Sequence, residues 1–159
     1  MTFRAGQARS PSVFAGAGGG AIPFYDTGTW TPQFYIGDPQ ANTGITYSAQ
    51  TGNYTRLGNM CFATGRMILT SIGALNGKMS ISLPLACVSD EGAGGLAVAW
   101  SNVVNTMQFI LIRYNSSFST PSLYFQMASS AGPTGTYDMD NFQMTNTSSM
   151  YFRIQYRYA

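Results

Sequence analysis

The chain has 159 residues, 45% of them hydrophobic, which is enough for one domain of ordinary size with a real core. Only 9% are charged, with a net charge of +2, against roughly 25% charged in a typical soluble domain. No run of Lys and Arg interleaves with aromatics, and no stretch approaches the roughly 20 apolar residues that span a bilayer, so neither nucleic acid nor a membrane is expected as a partner.

The first twenty residues carry Arg4 and Arg9 with no acid and end in Ala15-Gly16-Ala17-Gly18-Gly19-Gly20, too flexible and too small in side-chain area to hold a fold alone. Residues 1–20 therefore read as an extended N-terminal arm that lies on a neighbouring subunit, with Phe3, Val13 and Phe14 as apolar anchors and Arg4 and Arg9 beside them. A disordered tail is the alternative reading. No apolar stretch follows the two arginines, so a signal peptide is not expected and synthesis is placed in a cytoplasm.

From residue 21 to 159 the periodicity is two. An opening strand covers 25–32, and Ile45, Tyr47 and Ala49 then alternate with Thr46, Ser48 and Gln50, the pattern of a strand with one buried face. Met79, Ile81 and Leu83 alternate with Ser80 and Ser82, and Leu123, Phe125 and Met127 with Tyr124 and Gln126. At the end of the chain Met150, Phe152, Ile154, Tyr156 and Tyr158 point one way, and Tyr151, Arg153, Gln155 and Arg157 the other. Residues 60–70 and 107–114 are apolar on both faces, as in strands that lie centrally in a sandwich or under another subunit. Turn formers sit at Gly37-Asp38-Pro39, Thr51-Gly52, Asn76-Gly77, Gly92-Ala93-Gly94-Gly95 and Gly132-Pro133-Thr134-Gly135, and Asn76-Gly77 is a two-residue hairpin signal. With no amphipathic helical window, eight or nine short strands predict an all-β fold, an antiparallel β-sandwich of jelly-roll type. Its edges and its low charge predict coverage by other subunits.

Tyr25-Asp26-Thr27-Gly28-Thr29-Trp30-Thr31-Pro32, the hairpin Y-x-x-Q-x-G-x-Y-x-R-x-G-N over 47–59, the Gly65-Arg66 strand and Ser82-Leu83-Pro84 together resemble a β-rich module at the C-terminus of phage tail fibres and other virion surface proteins. The resemblance covers residues 25–84 and implies a virion exterior location and a trimer. A major capsid protein or tail components would then be partners.

Catalysis has little to work with, and no enzyme is expected. Histidine is absent, which removes the commonest general base and any Ser-His or Cys-His nucleophile. The carboxylates are Asp26, Asp38, Asp90, Glu91, Asp138 and Asp140; Asp90 and Glu91 are adjacent in a Gly-rich loop, where a fixed glycosidase separation is not maintained. Asp138-Met139-Asp140-Asn141 spaces oxygen ligands as a calcium loop does but lacks its glycine and distal glutamate, so a solvated turn is expected and no metal or cofactor is assigned. Cys61 and Cys87 lie in or beside apolar runs and read as buried free thiols. The aromatics, including Trp30 and Trp100, are read first as core and subunit interfaces and second as sugar-stacking platforms.

Two functions follow. The first is a trimeric capsid decoration or cement protein, anchored to the shell through its arm. The second is a short tail fibre or fibre tip whose loops 91–95 and 129–137, with Glu91, Tyr137 and Asp138 as contacts, bind a host surface glycan or protein. The absence of coiled-coil heptads or a long repeat between arm and module sets decoration first.

Overall fold

Alternation of apolar and polar residues, punctuated by Gly and Pro, produces ten antiparallel strands. The computed structural model describes residues 25–37, 41–74, 76–88, 93–104, 107–114, 123–129, 137–138 and 144–158. The strands are β1 (Tyr25–Trp30), β2 (Phe34–Ile36), β3 (Ile45–Leu57), β4 (Met60–Ile72), β5 (Met79–Ile81), β6 (Gly94–Val103), β7 (Met107–Tyr114), β8 (Leu123–Ser129), β9 (Tyr137–Asp138) and β10 (Met144–Arg157). No helix occurs among the described residues.

The strands follow one hydrogen-bonded path, β1-β3-β4-β10-β6-β7-β8-β5-β2, with β9 on β8. It does not close into a barrel: β1 and β2 are its two ends. The path folds into two layers, because β2 returns over β3, where Phe34 stacks on Tyr47 at 6.4 Å and meets Phe125 edge-on at 5.5 Å. Three antiparallel pairs nest along the chain, β4 with β10, β5 with β8 and β6 with β7. This nesting gives the sandwich its jelly-roll character. Between the layers, Met67, Leu69, Met150, Phe152, Ile154 and Tyr156 face Phe34, Met79, Ile81, Ile110, Ile112 and Phe125, all buried. On β10 the expected alternation is present residue by residue from Met150 to Arg157.

The residues of the 25–59 pattern are seats for one another. Trp30 pairs in register with Gly52, covers it, donates its Nε1–H to the Thr64 carbonyl at 3.2 Å and meets Phe152 edge-on at 6.2 Å. Gln50 Nε2 donates to the Pro32 carbonyl at 2.8 Å, and the Tyr54 ring lies over Gly28. The Tyr47 hydroxyl accepts the Phe34 N–H at 2.8 Å, and the Arg56 guanidinium sits 4.8 Å from the centre of the Tyr158 ring. The pattern thus specifies how β1 docks on β3 and how β3 turns into β4.

Several sequence expectations are corrected. Thr51-Gly52 is not a turn but the middle of the 13-residue β3, and the hairpin turn falls at Gly58-Asn59, between the paired Leu57 and Met60. Asn76-Gly77 does not make a hairpin, since β4 pairs with β3 and β10 while β5 pairs with β2 and β8; the segment crosses between layers. Gly94 and Gly95 open β6 instead of closing a loop. Ser80 is fully buried, as are Met79 and Ile81 beside it: β5 is buried on both faces and paired along both edges, with β2 and β8. The strands are not uniformly short: β3, β4 and β10 have 13, 13 and 14 residues. The arm assigned to residues 1–20 and the turn at 132–135 lie outside the described residues.

Candidate binding groove on the outer sheet face

One face of the five strands β3, β4, β10, β6 and β7 points away from the core. The register sets Asn53, Thr64, Arg153, Leu96 and Leu111 in a single cross-strand row, with Thr55, Phe62 and Gln155 in the next. These residues line a groove of about 790 Å³, within the roughly 300–1,000 Å³ of small-ligand sites. A second depression of about 300 Å³ continues from it past Arg66 and Tyr151, and the two share Asn53, Thr64, Val98 and Arg153.

The groove forms where the sheet turns its corner. Gly94 and Gly95 at the start of β6 pair with Gln155 and Ile154 on one side and with Arg113 and Ile112 on the other. A Cβ on Gly95 would overlap the Arg153 carbonyl oxygen, and one on Gly94 would lie 2.8 Å from that of Ile112. Only glycine permits three strands to converge this closely. Beyond the corner the β6–β10 register shifts at a bulge around Val98, whose side chain lies on the outer face with that of Leu96.

The lining divides by chemistry. Asn53 and Thr55 of β3, Thr64 of β4, and Arg153 and Gln155 of β10 supply hydroxyls, amides and one guanidinium. Leu96 at 50% exposure, Val98 at 55% and Leu111 supply an apolar flank, and Phe62 at 42% stands between Thr55 and Gln155. Among the described residues no carboxylate lines the groove. Arg66 is occupied over the Tyr151 ring at 5.3 Å, and Arg113 Nη1 donates to Gln126 Oε1 at 3.4 Å. The side chains of Arg153, Asn53, Thr55, Thr64 and Gln155 make no hydrogen bond to other described residues.

The groups with shifted protonation lie in the interior, away from the groove. Burial pushes the Tyr47 phenol up to about 12, partly offset by the Phe34 N–H it accepts. Tyr156 is raised further, by burial and by its contact with Cys61; its hydroxyl donates to the Leu85 carbonyl at 3.0 Å and accepts the Leu85 N–H at 3.1 Å. Burial also raises the Cys61 thiol. Cys61 and Cys87 are both buried and unbonded to each other.

Of the residues singled out in the sequence, Phe3, Arg4, Arg9, Val13, Phe14 and Glu91 lie outside the described residues. Tyr137 and Asp138 form β9, not a loop, and pair with Met127 and Gln126 of β8. Through Gln126 and Leu111, Asp138 occupies a register position at the far end of the row that contains Arg153. Sequence reasoning missed the groove residues themselves. A partial signal was present in the two-sided apolar character of 60–70 and 107–114, which includes Phe62 and Leu111.

No known protein family and no curated protein sequence matches the chain. Among solved structures, the crystal structure of the Dettilon tailspike protein is similar in fold, with a TM-score of 0.63 and 16% sequence identity. The similarity covers 84% of this chain and 24% of the tailspike chain.

Proposed function

We propose that this chain is a structural module on the exterior of a bacteriophage virion, carried on the tail and facing the host surface. The observation that carries the reading is the fold likeness to a tailspike over 84% of the chain. The 25–84 sequence pattern supports it independently, because it resembles a module of phage tail fibres and virion surface proteins. A homotrimer, no enzymatic activity and contacts to tail components belong to the same proposal.

Capsid decoration is the second reading, favoured by the 9% charge of a surface suited to being covered by neighbours. In that case residues 1–20 reach onto the major capsid protein, and deleting them abolishes particle attachment while the sandwich still folds. Quantitative mass spectrometry of purified virions, with antibody labelling in the electron microscope, separates the two. A few to a few dozen copies at the tail support the tail reading. Hundreds of copies over the head overturn it in favour of decoration, and absence from virions overturns both.

A further inference from the structure

We propose that the outer groove is a saccharide site selective for acidic sugars, with Arg153 receiving the carboxylate of a uronic acid or related residue. A pyranose ring presents hydroxyls around its rim and carbon-hydrogen faces above and below. The groove presents the complement. Asn53, Thr55, Thr64 and Gln155 offer groups that both donate and accept, as sugar hydroxyls do, and none is used by another described residue. Beside them Leu96, Val98 and Leu111 form an apolar flank, and Phe62 stands between Thr55 and Gln155, so a ring face has apolar side chains to pack against.

Charge selects the ligand class. Among the described residues Arg153 is the one charged residue lining the larger groove, and it sits where the two depressions meet, so a chain of several sugars crosses it whichever way it lies. Its planar fork matches a carboxylate with two parallel, charge-assisted hydrogen bonds, whereas the hydroxyls of a neutral sugar accept from it without the charge. Arg66 and Arg113 on the same face already have partners, and Arg157, further along β10, lies outside the groove lining, so within the groove Arg153 is the cation placed to take an anion. A two-fold contact centred on the groove would set Arg153 against Arg153 with no carboxylate among the described lining residues, which argues against that arrangement.

The proposal deepens the host-facing reading and rests on it for the source of the sugar, but the groove is tested without it. The full chain is titrated calorimetrically with four-unit oligosaccharides of galacturonate, glucuronate and mannuronate, and with the corresponding neutral sugars. At least one acidic probe binds, at least tenfold tighter than its neutral counterpart, and the preference weakens as salt is raised. Arg153→Gln removes the preference while the neutral affinity is unchanged, and Leu96→Ser weakens both. Binding of no probe, or an acid preference that survives Arg153→Gln, overturns the proposal. So does a wild-type oligomer that Leu96→Glu converts to folded monomer, because the face is then covered by a second copy. Saccharide binding by a chain absent from virions leaves the groove standing and removes the virion reading; the reverse result does the opposite.

Discussion

Gly65 of β4 and Phe152 of β10 are paired in register, and the phenyl ring lies across the glycine. A Cβ at Gly65 would overlap Phe152 Cζ, with Cε1 and Cε2 at 2.7 and 2.8 Å. The ring has nowhere to go, being 1% exposed and backed by Trp30 at 6.2 Å. Overpacking of this kind costs about 1–3 kcal/mol. Against it, alanine restricts the unfolded chain and contributes about 0.4–1 kcal/mol of stability. The clash wins, and Gly65→Ala is expected to destabilise by about 1–2 kcal/mol in urea unfolding followed by tryptophan fluorescence. Two protein concentrations separate folding from association. In a Phe152→Leu background the ring is gone, so the same substitution becomes neutral or stabilising, and the double-mutant cycle shows coupling above about 0.5 kcal/mol. Gly52→Ala, beneath the less buried Trp30, costs less than Gly65→Ala because the indole has room to swing. Additive single effects, or a neutral Gly65→Ala in the wild type, would refute the ring-on-glycine account.

Tyr156→Phe leaves both the N–H and the carbonyl of Leu85 without their shared partner and costs about 1–3 kcal/mol, read as a lower melting temperature. The Tyr47 and Tyr156 phenols are held above their ordinary value, so the native state keeps protons the unfolded chain releases. Stability is therefore flat with respect to these groups below about pH 10 and falls as pH rises toward 12; the part of the phenolate absorbance that Tyr47→Phe removes is expected only with unfolding, and its appearance in the folded protein would contradict this. Gly95→Ala drives a Cβ into the Arg153 backbone, which no rotamer relieves, and is expected to cost more than Gly65→Ala. Equal or smaller loss in the same urea assay would show that β6 slips without strain.

What the sequence made legible was local and one-sided. The alternation from Met150 to Tyr158 is clear because β10 has core on one face and solvent on the other, so polarity reports the pleat directly. The same logic failed at Ser80, where both faces are enclosed and a small hydroxyl is tolerated inside. Asn76-Gly77 has the local chemistry of a hairpin, but β4 already has partners on both edges, and pairing is decided by distant β3 and β10. Gly52 reads as a turn because glycine is rare in strand interiors, whereas in the fold the indole of Trp30, 22 residues earlier, rests on it. A local reading weighs backbone freedom, whereas the fold uses the absent side chain as space.

Gly94 and Gly95 carry the same lesson to the groove. Read locally they end a strand, yet in the fold they let β6 be gripped by β10 and β7 at once, and so carry the hydrogen-bonded path from one layer to the other. The turn of the sheet and the groove are therefore one feature: a side chain at either glycine would force β10 and β7 apart and remove the approach of Arg153 to Leu96 and Leu111. The lining is drawn from residue 53 to residue 155 on five strands, so no contiguous motif encodes it. Its chemistry becomes visible only once register places the unused hydrogen-bonding groups of β3 and β10 across from the exposed aliphatic side chains of β6 and β7.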